Sequence, residues 1–506
     1  MAELISILRA SQIASDIMGK NITKSNISYL MQYGKINKYS DNGTTMVSKD
    51  EVESYYNGKK QEISNLVGDG NPYLSFANLK ESDTTKHVHK LHPYKGKYIP
   101  QLVEYFIDGH TDEYKKNVYF YPNDIILDPF CGSGTTLVQA NECGINAIGI
   151  DVSDFNAFLA NCKLCDYDVD DIAENTNLIL KRLWNYELNK TGISIFESNL
   201  DTLIRNYNKQ YFSKGNSNND VNIDSVMSMF NNDYFYLVSK RFSTDKCFKQ
   251  NDDGTFLSRW YTRFVREEMD IVMDALFDID NPLTCNIIRL ILSRTIHSCR
   301  ATTHYDLATL VKPQFEPYYC YKHKKICRPV YSMSKWFERH CKDTIKRLKE
   351  FSSIKTNTWQ YCISGDSRTV DLNVYLNYSK INGIFTSPPY VGMIDYHEQH
   401  SYAYELFGIN RCDDKEIGPM SMGQGSAAIE SYVQGISDVL NNCKKHLIDD
   451  YDVFIVANDK FNLYPTIAEK AGMEIVERFE RPVLNRSERN RNDYFETIFH
   501  LKEKKL

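Results

Sequence analysis

The stretch DIILDPFCGSGTTLVQANECGINAIGIDVSD, residues 124–154, sets the architecture. It opens on a short apolar run, passes two glycines, continues as an apolar helix pattern from Thr135, and closes on a second strand pattern ending at Asp151. Strand, tight turn, helix, strand is the unit from which open α/β sheets are wound. Gly132 and Gly134 let the backbone bend sharply and pass close to a ligand, and the Asp128 carboxylate at the strand end can order the loop. No Gly-Lys-Ser/Thr follows, so the triphosphate cradle of a P-loop is missing, and so is the full GxGxxG spacing of a dinucleotide site. Asp151 stands at the distance from the turn at which a carboxylate accepts ribose hydroxyls.

Strand patterns return later as TWQYCISGDSR, INGIFTSPPY, YDVFIVANDK, GMEIVERFERP and YFETIFHLK. Residues 85–165 and 351–506 therefore read as two parts of one α/β domain, interrupted by a mainly helical insertion at 166–350. Before them, ISILRASQIASDIMG and NITKSNISYLMQYGKI carry apolar residues at helical spacing, and Asp41-Asn42-Gly43 makes a turn before a last short helix. Residues 1–58 thus read as a separate unit in the order of a winged helix-turn-helix, and 59–84 as a linker. Thr23 is expected to cap the second helix, with Lys24, Ser25, Asn26 and Ser28 projecting from its first turns and Asn42 and Gly43 at the tip of the wing. This unit resembles the small excisionase-like and MerR-like DNA-binding modules.

The 506 residues are 42% hydrophobic and 25% charged with a net charge of −6, which argues against a globally basic nucleic-acid coat and leaves room for a local basic groove. Thirteen scattered cysteines and the lack of a secretory leader point to a reducing, cytoplasmic setting, at the nucleoid if the source is prokaryotic. No apolar run approaches the roughly 20 residues of a membrane span, so no membrane association is expected.

Asp128-Pro129-Phe130-Cys131-Gly132-Ser133-Gly134-Thr135-Thr136, together with Ser387-Pro388-Pro389-Tyr390, resembles the S-adenosylmethionine-dependent DNA methyltransferases that produce N4-methylcytosine or N6-methyladenine. The resemblance covers roughly residues 85–165 and 355–506 and implies a Rossmann-like methyltransferase sheet with S-adenosylmethionine as cofactor. It further implies that Asp128, Pro129, Phe130, Gly132, Ser133, Gly134 and Thr135 form the methionine side of the cofactor site, that Asp151 holds the ribose, and that Asp366 contacts the adenine. The segment HPYKGKYIPQLV, with His92, Pro93 and Pro100, resembles the stretch that closes over the methionine moiety. Cofactor turn, insertion and proline turn follow one another as in members that carry target recognition between the two motifs. That order usually accompanies DPPY or NPPY, whereas the DPF-GSGTT wording is commoner in permuted members.

An exocyclic base amine is a poor nucleophile because its lone pair is delocalised into the ring. A rigid turn that presents oxygen acceptors to the amine hydrogens favours a pyramidal nitrogen and absorbs positive charge during transfer. The Ser387 hydroxyl and the Pro388 carbonyl are the candidates, Pro388 and Pro389 supply the stiffness, and Tyr390 can stack on a base swung out of the duplex. The sulfonium is already a strong electrophile, so the reaction needs neither metal nor covalent enzyme intermediate, and Cys131 is not read as a nucleophile. Asp395, Tyr396, His397, Glu398 and His400 read as a polar pocket wall or caps, and Tyr402, Tyr404 and Phe407 as core.

In the insertion, Lys322, Lys324, Lys325 and Arg328 interleave with Tyr318, Tyr319, Tyr321 and Tyr331, the composition of a DNA-contacting face. RPVLNRSERNRND adds Arg481, Arg486, Arg489 and Arg491 near the proline-turn edge. Cys320, His323 and Cys327 are three residues of metal-ligand type, with Cys299, Cys341 and several histidines nearby in sequence, but zinc takes four ligands and usually shows tighter paired spacing, so reduced thiols and no metal are expected. The chain reads as a site-specific methyltransferase acting on double-stranded DNA, with a cognate restriction endonuclease or defence-system partner. Ser387 in place of Asp is, by resemblance, the feature of cytosine-N4 enzymes, while the motif order leans to adenine-N6. RNA- or protein-directed transfer and a non-enzymatic DNA-binding regulator are the alternatives from other classes.

Overall fold

The computed structural model describes the chain except residues 1–2, 19–21, 33–34, 42–43, 68–71, 77–78, 80–82, 213–220, 243–247, 251, 305, 307–309, 484–494 and 506. The N-terminal unit runs β1 (Leu4–Ser6), helices Ile7–Met18 and Lys24–Gln32, β2 (Tyr39–Asp41), β3 (Thr44–Ser48) and helix Lys49–Val67. Its strands pair in the order β1-β3-β2, and Ile5, Ala10, Ile13, Ala14, Ile27, Val47 and Val52 close a small core of their own. Thr23 caps as expected: its hydroxyl accepts the Asn26 N–H at 3.4 Å, while Asn26 Oδ1 accepts the Thr23 N–H at 2.9 Å. Two features differ from expectation. A first strand precedes the helices, and the last helix runs on to Val67, past the boundary placed at 58. The wing tip, Asn42 and Gly43, lies outside the described residues.

The α/β part is one seven-stranded sheet in the order β11-β12-β10-β9-β4-β5-β8, built from β4 (Ile125–Asp128), β5 (Asn146–Asp151), β8 (Gln360–Ser364), β9 (Ile381–Thr386), β10 (Leu447–Ala457), β11 (Met473–Pro482) and β12 (Phe495–Glu503). Only β12 runs antiparallel to its neighbours. The inner strands are apolar on both faces because both are covered: Ile126 packs into the core on one side, and Leu127 into the core on the other. β5 and β8 pair directly, Ile150 opposite Ile363, although the whole insertion separates them in sequence.

The insertion holds a two-stranded hairpin, β6 (Tyr318–Cys320) with β7 (Lys325–Cys327), among helices from Val169–Asn185 to Ser334–Ser352. It is less separate than its sequence pattern suggests. Helices Val169–Asn185, Pro282–Ser298 and Ser334–Ser352 bury Leu183, Ile291 and Phe337 in the same core as the sheet. Only the part around Phe196, Phe230, Phe248 and Tyr331 has its own core.

Candidate active site

β4 and β9 are neighbours and parallel, with Leu127 opposite Ile384, so the glycine turn and the proline turn leave the same edge of the sheet side by side. β5 and β8 extend the sheet on one side of β4, and β9 and β10 on the other. The crevice at such a reversal is where open α/β sheets bind ligands. A cleft lies there, with Phe130, Gly132, Ser133 and Thr135 from one turn and Ser387 and Pro389 from the other in its walls.

Two buried carboxylates shape the glycine turn. Asp151 Oδ2 accepts the Gly132 N–H at 2.8 Å, and its Oδ1 accepts the Ser153 N–H at 2.9 Å and the Asn156 amide at 3.0 Å. Burial pushes the Asp151 carboxyl up to about 6 despite those donors. Asp128 Oδ1 accepts the Thr386 hydroxyl at 2.6 Å and the Phe130 N–H at 3.2 Å, while Oδ2 accepts the Tyr98 hydroxyl at 3.1 Å. Thr386 immediately precedes Ser387, so Asp128 ties the two turns together. It does so from behind: Asp128 is fully buried and does not line the cleft, a correction to its expected direct contact with cofactor.

The two glycines do different things. At Gly132, where φ is +50°, an added Cβ would sit 2.9 Å from the Tyr94 hydroxyl on the cleft wall. At Gly134, where φ is +77°, it would sit 2.8 Å from Ala160 Cβ and 3.1 Å from Ala160 Cα. Gly134 thus lets helix Asp154–Cys162 pack against the turn and does not face the cleft.

His92 and Pro93 are also displaced from their expected place. His92 is buried, with Nε2 2.9 Å from Ser293 Oγ and Nδ1 2.8 Å from the Pro93 carbonyl, and burial holds its imidazole neutral. The residues after it, Tyr94, Gly96, Lys97 and Tyr98, form the wall instead. Pro129 lines the cleft, and its carbonyl accepts the Ser367 hydroxyl at 2.6 Å. Asp366 lines it too; burial works against its charge, but hydrogen bonds from Arg368 at 2.7–3.1 Å carry the carboxyl below its ordinary range.

Prolines and a carboxylate hold the other turn. Pro388 is buried, and the Tyr390 hydroxyl donates to Glu496 Oε1 at 3.0 Å. Glu496 Oε2 in turn accepts from Arg481 at 2.6 Å. Arg481 is therefore a buried brace and not a loop cation. Asp395 caps helix Tyr396–Gln399, and Tyr396 and His397 reach the cleft, in keeping with a polar wall. Behind them runs a chain: Ser153 Oγ to the Tyr404 hydroxyl at 2.5 Å, and that hydroxyl to His397 Nδ1 at 2.7 Å. Glu416 accepts the His397 N–H at 3.1 Å, and burial lifts its carboxyl to about 7. Cys131 is buried and its thiol is raised well above the ordinary value by its bond with Cys362 and by burial, which leaves no nucleophilic thiolate.

Several lining residues escaped the sequence reading. Tyr94, Lys97 and Tyr98 sat within a segment already singled out, and Ser153 with Asn156 followed Asp151 as a helix cap, Ser153 Oγ accepting the Asn156 N–H at 3.2 Å. Lys415 and Glu416 carried no local signal.

The described basic candidates do not line the cleft. Lys24 and Asn26 are exposed on helix Lys24–Gln32, which also carries Ser25. Lys322, Lys324 and Lys325 are exposed on the β6–β7 hairpin. Arg328 corrects its assignment: its guanidinium bonds Asp201 at 2.7 Å and Glu197 at 2.8 Å, anchoring the hairpin to helix Ile193–Tyr211 in place of meeting phosphate. Arg486, Arg489 and Arg491 lie outside the described residues.

A family model described as DNA methylase matches residues 15–160. The chain belongs to the S-adenosylmethionine-dependent DNA amino-methyltransferases. Similarity to the Type II methyltransferase M.MjaII of Methanocaldococcus jannaschii runs along the whole length, 46% identical over 99% of this chain and 97% of that protein. The Type II methyltransferase M.MvaI of Kocuria varians is 32% identical over 22% of this chain and 23% of its own. Two structures of the rRNA methyltransferase AviRa from Streptomyces viridochromogenes, 9% and 10% identical, cover 81% and 85% of this chain and 88% and 96% of their own, with TM-scores of 0.26 and 0.29. At those scores they add nothing to the strand order. Among the described residues, no helix is long and apolar enough to cross a membrane.

Proposed function

We propose that this DNA methyltransferase methylates the exocyclic N4 of cytosine in double-stranded DNA, as the modification component of a restriction-modification or defence system. The observation that carries the reading is the shared cleft: Ser387 and Pro389 stand in the same walls as Phe130, Gly132 and Ser133. The Type II names of the two relatives support the restriction-modification setting.

The cleft suits the cofactor. Ser133 Oγ and Asn156 Oδ1 are buried polar atoms with no hydrogen-bond partner among the described residues, both from cleft-lining residues, beside apolar Phe130, Ile417 and Pro419. A ligand with an amino-acid end and an aromatic end satisfies both kinds of surface. In this reading Phe130, Gly132, Ser133 and Thr135 hold the methionine portion, Asp151 the ribose and Asp366 the adenine. S-adenosylmethionine supplies an electrophilic methyl group when bound.

The remaining work falls to the proline turn. The Ser387 hydroxyl and Pro388 carbonyl accept hydrogen bonds from the target amine, keep its nitrogen pyramidal, and spread the positive charge that develops there. Tyr390, braced through Glu496 and Arg481, stacks against the extruded base. Exposed Lys24, Asn26, Lys322, Lys324 and Lys325 offer contacts to the duplex. Digesting methylated DNA to nucleosides and identifying the product by mass spectrometry tests the reading. N4-methylcytosine is expected; N6-methyladenine as sole product refutes the choice of base.

A further inference from the structure

The turn of the β6–β7 hairpin, Tyr321 to Lys324, and the segment that approaches it from residue 299 onward take no part in the cleft. Cys320 ends β6, His323 sits in the turn, and Cys327 ends β7. Cys320 pairs with Lys325, so Cys327, two residues on, shares its face of the hairpin. His304 reaches this face from a segment that follows helix Pro282–Ser298. One ligand-type atom from each of His304, Cys320, His323 and Cys327 lies within 4.8 Å of every other.

The spacing is that of a metal centre. Cys320 Sγ is 3.8 Å from His304 Nδ1, Cys327 Sγ is 3.6 Å from His323 Nδ1, and the two imidazole centroids are 4.5 Å apart. Zinc bonded to sulfur at about 2.3 Å and to nitrogen at about 2.0–2.1 Å, with tetrahedral angles, places sulfur about 3.6 Å from nitrogen. Both thiols are buried, while His323 is exposed, so an ion has a path in from solvent. The Tyr318 hydroxyl accepts the His304 backbone N–H at 2.9 Å, which holds the approaching segment against the hairpin; its contact with Nδ1, also 2.9 Å, gives way when that nitrogen takes the ion.

We propose that His304, Cys320, His323 and Cys327 bind one zinc ion as a closed structural site. The sequence alone assigned no metal because Cys320-x2-His323-x3-Cys327 lacks tightly paired spacing and does not say which nearby Cys or His is the fourth ligand; the structure brings His304 to it. Two thiolates balance the charge of Zn²⁺, so loading releases two thiol protons. Four protein ligands leave no position for water, and the ion's role is to clasp the turn carrying Lys322, Lys324 and Lys325 to the helical body. A disulfide between Cys320 and Cys327 is the competing chemistry.

The full-length chain, purified from zinc-supplemented culture under reducing conditions and dialysed against metal-free buffer, is expected to retain about one zinc per chain by plasma mass spectrometry. Cys320→Ser, Cys327→Ser and His304→Ala are expected to lose it, while Cys285→Ser keeps it. Replacing zinc by Co²⁺ in the unmutated chain gives a measurement independent of how the variants fold: tetrahedral ligand-field bands with thiolate-to-metal charge transfer are expected. A chain without stoichiometric zinc that yields no thiolate charge-transfer band with Co²⁺ overturns the proposal. So does an intact Cys320–Cys327 disulfide in the reduced preparation, or zinc content unchanged across the three ligand variants.

Discussion

The two turns that meet at the cleft leave adjacent strands yet are held in opposite ways. After β4, two glycines at positive φ make the backbone pliable, and buried carboxylates give it shape: Asp151 accepts the Gly132 N–H and Asp128 the Phe130 N–H. After β9, shape is covalent, because two pyrrolidine rings restrict the chain, and the Tyr390–Glu496–Arg481 brace is added at its far end. A turn that wraps a ligand with its backbone must be able to come close, and glycine allows that. A turn that must aim two acceptors at a small amine gains from being stiff before the substrate arrives. The first turn should therefore govern cofactor affinity and respond to pH, whereas the second should govern transfer rate and be indifferent to it.

The strongest way to break this division is Gly134→Asp. Its Cβ would press on the Ala160 backbone from a left-handed conformation, so the turn and helix Asp154–Cys162 must part. Cofactor affinity should fall by on the order of 100-fold or more in a calorimetric titration; unchanged affinity would remove the turn from the cofactor site.

Asp151→Asn tests the carboxylate brace. Burial raises the Asp151 carboxyl from 3.8 to about 6, so the folded chain holds that proton more tightly than the unfolded chain. The resulting stabilisation is complete below the unfolded value and is lost as pH rises through about 6. Between pH 4 and 7 the unmutated chain should lose about 2–3 kcal/mol relative to Asp151→Asn, read by denaturant titration. Parallel pH profiles for the two proteins would mean that Asp151 is not strained by burial.

On the other turn, Tyr390→Ala should slow methylation by about 10- to 100-fold, the worth of a base–aromatic stack, with cofactor affinity near normal. Tyr390→Phe keeps the ring and removes the hydroxyl that bonds Glu496, so a change of about 2- to 10-fold is expected. Equal losses in the two variants would show that the hydroxyl, and not the ring, does the work.

Most of this site was legible because its chemistry is written in contiguous residues. Gly132, Ser387 and Pro389, which line the cleft, stand at fixed points of strand–turn units, and strand–turn units are local patterns. What stayed hidden depends on folding at a distance. His92 looked like a cofactor residue, yet the turn of the chain buries it against Ser293 and brings Tyr94 to Tyr98 forward instead. Arg328 looked like a phosphate contact until Glu197 and Asp201 proved to claim its guanidinium. His304 joins Cys320 and Cys327 only through tertiary packing. Gly134 was identified correctly as a required glycine, but its neighbour is Ala160 and not the ligand path.

The division of labour is tested most directly by Ser387→Ala, with cofactor affinity and single-turnover methyl transfer measured on the same preparation. In the proposed reaction Ser387 supplies an acceptor at the reacting amine, and losing one such group costs about 100- to 1000-fold in the chemical step. That fall in transfer rate is expected, with cofactor affinity unchanged within about 2-fold, since among the described residues Ser387 makes no bond to the glycine turn. A cofactor affinity that falls in step with the rate, or a transfer rate that does not fall, contradicts the division.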